Sequence, residues 1–470
     1  MDRKRTHITI IGGGITGLAA AFYLMRERDA RQLPLDFTLI EAEDRLGGKI
    51  ATWRQDGFVI ELGPDSFLER KASAGQLIRD VGLEENLVRN ATGQAYILHK
   101  NRLMPIPEGA VMGIPTKLMP FVTSSLISPL GKLRAAADLV LPTGNHGEDE
   151  AVGHFFRRRL GDEVIDNLIE PLLSGVYGGN IDEMSLLSTF PQFAQMEQKY
   201  RSLILAMKST RPPSNKQEKQ GMFQTLRSGL QSLVERIEEL LPAESIVKQR
   251  AVKRVEKRAD RYELSLDDGQ KMETDAIILT VPHAHTQKLL SPYIDMPPLT
   301  RAAPTMVATV ALAYPAEQVK LHLEGTGFVV PRKSDFTITA CTWTHRKWPH
   351  TTPPGKALLR CFVGRENDQS IVEQSDEEIV RVAVKDLQRI MHVGGTPEFY
   401  LVNRIARSIP YVVGHQQWLR TITEKTRTAL PGVYLAGASY RGVGLPDCID
   451  QGKQAVHDVL QYVTGKQQDA

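Results

Sequence analysis

Only three cysteines, Cys341, Cys361 and Cys448, occur in 470 residues, and their spacing matches neither a disulfide framework nor a cysteine metal site. A reducing, cytoplasmic compartment fits that scarcity. Charge of one sign is lacking as well. The formal net charge is +3, and lysines and arginines are dispersed rather than gathered into an aromatic-interleaved basic stretch. Nucleic acid is thereby excluded as a partner. Long apolar runs are missing too. One uncharged stretch, Leu118 to Gly131, is broken by Pro120 and Pro129. It falls short of the roughly 18–20 apolar residues that a spanning helix requires. No transmembrane segment is expected, although Lys117 and Lys132 at its edges leave room for contact with a membrane surface. No Ser-His-Asp or Cys-His set, catalytic carboxylate pair or metal-ligand cluster stands out. The start, Asp2 to Thr6, runs directly into a motif strand, so no removable signal peptide is expected.

What the chain does have is concentrated at its front. Ile8-Thr9-Ile10-Ile11 reads as a buried parallel strand, ending in Gly12, Gly13 and Gly14, followed by Ile15, Thr16 and Gly17 at the start of an Ala/Leu-rich helix. Glycine permits a tight turn and close backbone approach to a diphosphate, whose charge the helix N-terminus favours. A second apolar strand, Phe37 to Ile40, delivers Glu41, whose carboxylate can accept from ribose hydroxyls. Strand, glycine turn, helix and acid in this order predict a dinucleotide site.

The next segment narrows the cofactor. Ala42-Glu43-Asp44-Arg45-Leu46-Gly47-Gly48-Lys49 is a second Gly-Gly turn with an arginine before it, and Gly63-Pro64-Asp65-Ser66 is a third turn able to bring bare backbone against a flat ring. A nicotinamide enzyme has no need of these turns, whereas the extended diphosphate of a flavin dinucleotide can use a further cation and more N–H donors. On these residues the sequence resembles the monoamine-oxidase-like flavoprotein superfamily, in its protoporphyrinogen/coproporphyrinogen oxidase branch. Gly432 to Ser439, containing Gly437, is similar to the family's last flavin strand, and Arg441 to Gly452, containing Val443, Gly444 and Leu445, to its closing turn. Glu170 to Gly179 and Leu186 to Pro191 resemble the signature of the porphyrinogen-oxidising branch. Gly63 to Lys71 and Ala91 to Gln94 are similar to its soluble Gram-positive type, for which the resemblance implies coproporphyrinogen III as substrate.

Motifs at both ends make the nucleotide lobe discontinuous. The fold expected is α/β plus α: a Rossmann-like FAD-binding domain from 1–70, 221–291 and 426–470, an antiparallel-sheet substrate domain from 71–99 and 292–425, and a helical lobe over 100–207. Residues 208–220 read as a Pro/Lys-rich linker. Leu230 to Leu241 carries helical spacing, and Asp267-Asp268-Gly269 reads as a hairpin turn. Met306–Leu312, Gly327–Val330 and Phe336–Trp343 are the clearest strands of the substrate sheet. The resemblance places Val252 against the adenine, although a valine in a strand is equally a core residue.

The resemblance implies one non-covalent FAD and a six-electron oxidation in three rounds. In each round flavin N5 takes hydride from a bridge carbon, and the rounds together reduce three dioxygen to three hydrogen peroxide. The coenzyme carries the hard step, while the protein orients and desolvates. Arg70 and Lys71 are the expected cationic rim for propionates, against the alternative of a solvated pair. Phe328, Val310, Leu312 and Ile338 are the expected apolar floor, against plain core. Gly175 matches the family glycine beside the reacting bridge and is the single catalytic candidate, unless it only ends its helix. Ile405 stands where relatives can place an aromatic. Rival readings are protoporphyrinogen IX as main substrate, a flavin amine oxidase, and a carrier that hands on porphyrin without turnover. Handover of product to a ferrochelatase is admitted by the resemblance.

Overall fold

The computed structural model describes residues 5–468 apart from 109, 112–113, 116, 145–148, 178, 211–220, 298–304, 366–367 and 408–410. Its first layer is a parallel sheet in the order Ile246–Val247, Leu35–Ile40, Thr6–Ile11, Ala276–Leu279, Val433–Leu435. Strands buried on both faces read as continuous apolar runs, as Ile8-Thr9-Ile10-Ile11 and Ala276-Ile277-Ile278-Leu279 do. One face is covered by the helices Ile15–Arg31 and Leu445–Gln468, packed against each other in the largest core cluster. The other face carries the antiparallel ribbon Val252–Lys257, Tyr262–Leu266, Lys271–Thr274 and the helix His415–Ala429. The turn at Asp267–Gly269 joins two of those strands as expected.

The second layer is a seven-stranded sheet, in the order Phe399–Arg407, Thr305–Pro315, Lys356–Val363, Ile338–Trp343, Gly327–Val329, Tyr96–His99, Arg102–Pro105. It is antiparallel except where Gly327–Val329 runs parallel to Tyr96–His99. The helix Asp376–Ile390 covers one face through Ile379, Ala383 and Leu387. On the other face, Ile97 and Val329 meet a lobe of short helices lying between Leu118 and Ser209. That lobe is centred on Phe155, Phe156 and Leu168. It is not helical from residue 100 as expected, because Arg102–Pro105 belongs to the sheet and Ala110–Val111 pairs with Ile114–Pro115.

A buried arginine ties this lobe together. Arg159 donates to the Asp138 carboxylate at 2.6 Å, to Glu197 at 3.2 Å and to the carbonyls of Pro142 and Arg201 at 2.9 and 2.6 Å. Only such saturation makes a fully buried guanidinium tolerable. Two helices lie elsewhere than the expected lobes suggest: Ala72–Asp80 and His415–Ala429 pack against the parallel-sheet cores, not the substrate sheet. Most of the expected linker, 211–220, lies outside the described residues.

Candidate active site

The first glycine turn sits where Thr6–Ile11 hands over to the helix Ile15–Arg31. Gly12 has φ +110°, open to glycine and strained for other residues. A Cβ on Gly17 would lie 1.9 Å from the Gly12 carbonyl oxygen, so the turn closes only without side chains. Ile15 and Thr16 are buried, no side chain caps the helix, and its first turn holds no acid. A Cβ on Gly14 would meet nothing within 4 Å. Buried N–H groups facing open space are the arrangement that an anion satisfies.

Glu41 follows Leu35–Ile40 and accepts from the Gly13 N–H at 2.6 Å and the Glu43 N–H at 2.9 Å. Two backbone bonds leave an ionised carboxylate with further lone pairs for hydroxyl donors. Beside it, the Arg250 N–H donates to the Glu41 carbonyl, which brings half-buried Val252 to this end of the sheet. The second turn abuts the first, with the Gly47 N–H on the Gly13 carbonyl at 2.8 Å. Here the structure corrects one expectation. Arg45 does not stand free for a diphosphate; its guanidinium donates to the carbonyls of Leu46, Gly48 and Ile50 and braces its own loop. Ala42, Gly48 and Lys49 remain exposed around it.

The third turn is pinned from the substrate sheet. A Cβ on Gly63 would lie 1.8 Å from the Lys49 carbonyl oxygen. The Gly63 carbonyl accepts from buried Arg360, and the Leu62 carbonyl accepts from Asn403 at 2.9 Å. After Pro64, Asp65 accepts from Lys347 Nζ at 2.7 Å and from the Ser66 hydroxyl at 2.8 Å. Burial alone would push the Asp65 carboxyl up, but Lys347 and Arg360 outweigh it and hold the group well below its ordinary range. Burial pushes Glu61, two residues before Gly63, up to about 7, although it accepts from the Leu230 N–H and the Thr52 hydroxyl. Lys347 and Arg360 lie some 280–300 residues along the chain from these partners, and nothing local in the sequence signals them.

At the tail, the Gly437 N–H donates to Gln451, whose amide in turn holds the Arg441 carbonyl at 2.6 Å. Val443, Gly444 and Leu445 then open the helix Leu445–Gln468. Together with Ser66 and Lys71 they line a cleft of about 1010 Å³. Leu187 and Ser188 of the second signature segment, Tyr411 and His415 form other walls. A cleft at or above the roughly 300–1,000 Å³ of small-molecule sites has room for a large planar ligand.

The flavin-containing amine oxidoreductase family matches residues 15–460. The chain belongs to that family. As a flavin-containing amine oxidoreductase, it is similar end to end to two enzymes named coproporphyrinogen III oxidase. It is 53% identical over 468 residues to that of Bacillus subtilis strain 168, spanning 98% of this chain and 100% of the relative. It is 43% identical over 466 residues to that of Staphylococcus aureus strain NCTC 8325, spanning 96% and 98%. A solved Exiguobacterium structure bearing the provisional name protoporphyrinogen oxidase superposes with a TM-score of 0.87 at 41% identity, covering 97% of this chain and 99% of that one. The protein is an FAD-dependent oxidase, and the three glycine turns, Glu41 and the closing turn fit FAD.

The remaining expected residues of this flavoenzyme separate. Lys71 lines the cleft, but both Asp447 carboxylate oxygens hold its ammonium, at 2.6 and 2.7 Å. Arg70 is exposed and is not part of the cleft wall. Phe328, Val310, Leu312 and Ile338 are not an apolar floor. All four point into the core beneath the helix Asp376–Ile390, away from the helical lobe. Thr305–Pro315 is buried along both faces, so period-2 alternation gives no clue to its orientation. Gly175 lies inside the helix Glu170–Tyr177, which rules out its role as a terminal cap; a π-helical turn, Ile165–Ile169, precedes it. Ile405 pairs with Val307 in the sheet. His283 opens the helix His283–Leu290 and is buried, which lowers its pKa. Burial raises the Cys448 thiol to about 11.

Proposed function

We propose that this oxidase converts coproporphyrinogen III to coproporphyrin III. The substrate loses six hydrogens in three two-electron steps, and three dioxygen molecules leave as three hydrogen peroxide. The end-to-end likeness to two coproporphyrinogen III oxidases carries this reading. The cleft supports it, since Ser66 at the end of the third turn and the closing turn Val443–Leu445 both line it, in a space fit for a macrocycle. Bound FAD supplies two-electron acceptance. The chain supplies the rest. Glu41 and the uncapped helix Ile15–Arg31 would hold the dinucleotide, and Arg360, Asn403 and Lys347 fix the turn that leads into Ser66 at the cleft. Leu187 and Tyr411 exclude water from the reacting face. Gly175 is proposed to stand near the reacting bridge, where a side chain would obstruct the macrocycle.

Purified FAD-loaded protein in air, given coproporphyrinogen III, is expected to develop porphyrin fluorescence while consuming about three dioxygen per porphyrin, from the hydrogen balance above. Fluorescence growth that does not depend on FAD, or peroxide release with an amine and none with either porphyrinogen, rejects the reading. Faster turnover of protoporphyrinogen IX would transfer the assignment to that substrate.

A further inference from the structure

Coproporphyrinogen III carries four propionates, and neither Arg70 nor Lys71 is placed to meet them. On the strength of that substrate reading, we infer that Arg420 and Arg441, with Arg427 farther along, form the carboxylate-binding rim of the cleft. Two observations carry this assignment. First, the helix His415–Ala429 turns one stripe to the cleft: Gln416, Leu419, Arg420, Thr423, Glu424 and Arg427, at the i, i+3, i+4, i+7, i+8, i+11 spacing of a single face. Arg420 and Arg427 are seven residues apart, about two turns or ~10.5 Å along the axis, so they lie on that face at separate heights. Arg441 joins them from the closing turn, its carbonyl fixed by Gln451.

Second, these cations are available. Arg420 and Arg441 are exposed and form no ion pair with any described residue. Among the described residues Arg427 meets only Glu424, at 3.4 Å, with the two side chains 79% and 73% exposed, a pairing worth little. Lys71 is different, being neutralised by Asp447. Four cations thus line the cleft against two carboxylates, Glu424 and Asp447. Arginine suits the task because its planar fork grips a carboxylate by two parallel bonds.

The test is equilibrium binding of coproporphyrin III to FAD-loaded protein, read by porphyrin fluorescence anisotropy, with the visible flavin spectrum as the check on folding. Arg420→Ala and Arg441→Ala are each expected to raise Kd about fivefold, and the pair about 20-fold, in the range of charge-assisted bonds at a partly exposed site. Protoporphyrin IX, with two propionates, should lose less. Arg420→Lys with Arg441→Lys should restore most of the affinity, and Arg381→Ala, beyond the far face of the sheet, should change nothing. A double alanine variant that binds within twofold of wild type, or a loss that follows Arg70→Ala instead, overturns the rim. Wild-type protein that neither binds coproporphyrin III nor oxidises coproporphyrinogen III overturns the substrate reading and the rim with it. Normal wild-type turnover beside an unaffected double variant overturns the rim alone.

Discussion

Glu61 shows how one residue can carry the pH response of a whole site. Its carboxyl sits near 7 in the folded protein against 4.5 for the ordinary group, chiefly because of burial. Between those two values the folded state binds a proton that the unfolded chain has released. Stability therefore falls as pH rises from about 4.5 to about 7 and levels off above. Glu61→Gln removes that component. The difference in unfolding free energy between variant and wild type should grow by on the order of 2–3 kcal/mol from pH 5 to pH 8. Denaturant curves at the two pH values check this, and parallel wild-type and variant trends would refute it. Arg360 is the neighbour most exposed to the same logic. It is 4% exposed, its Nε has no partner among the described residues, and a small cavity of about 20 Å³ is lined by it, Glu61, Asp65 and Thr225.

At the scale of elements, the close crossing of the helices Ile15–Arg31 and Leu445–Gln468 sets the geometry of the FAD site. Both begin at glycine turns, and small residues let them approach. A Cβ on Gly452 would lie 2.5 Å from the Thr16 carbonyl oxygen and 3.3 Å from the Ala19 Cβ. Gly452→Val must push the helices apart, at a cost of about 1–3 kcal/mol typical of overpacking. It should lower the unfolding midpoint and weaken FAD retention on gel filtration together. A variant that loses neither would show that the crossing has slack. These elements were readable from local pattern: apolar runs, glycines at fixed offsets and an acid after the second strand. The helix Asp376–Ile390 carried an equally plain signal, with Ser375 capping the Glu378 N–H and three acids in its first turn. The strands Lys356–Val363 and Phe399–Arg407 carried a weaker one, because mixed charges interrupt their alternation.

For the whole molecule, the parallel sheet draws strands from residues 6–40, 246–279 and 433–435, so FAD bridges segments that fold from distant parts of the chain. Ligand that binds only the folded state stabilises it by mass action, about 4 kcal/mol when its concentration is a thousand times Kd. FAD-stripped protein should therefore unfold at a clearly lower temperature and regain its midpoint as FAD is added. A midpoint indifferent to FAD would mean that the turns fold without regard to it. Among the described residues, no helix is long and apolar enough to cross a membrane.

The sequence alone determined the dinucleotide turns, the placing of Glu41 after the second strand and the family resemblance, because each is written in neighbouring residues whose backbone needs are local. Tertiary structure decided which face of Thr305–Pro315 is core, that Arg45 braces its own loop, and that Lys71 is spent on Asp447. It also brought Lys347 and Arg360 to the Gly63–Ser66 turn. Those outcomes depend on contacts across hundreds of residues, and on competition among charges for the same partners, which no stretch of sequence contains.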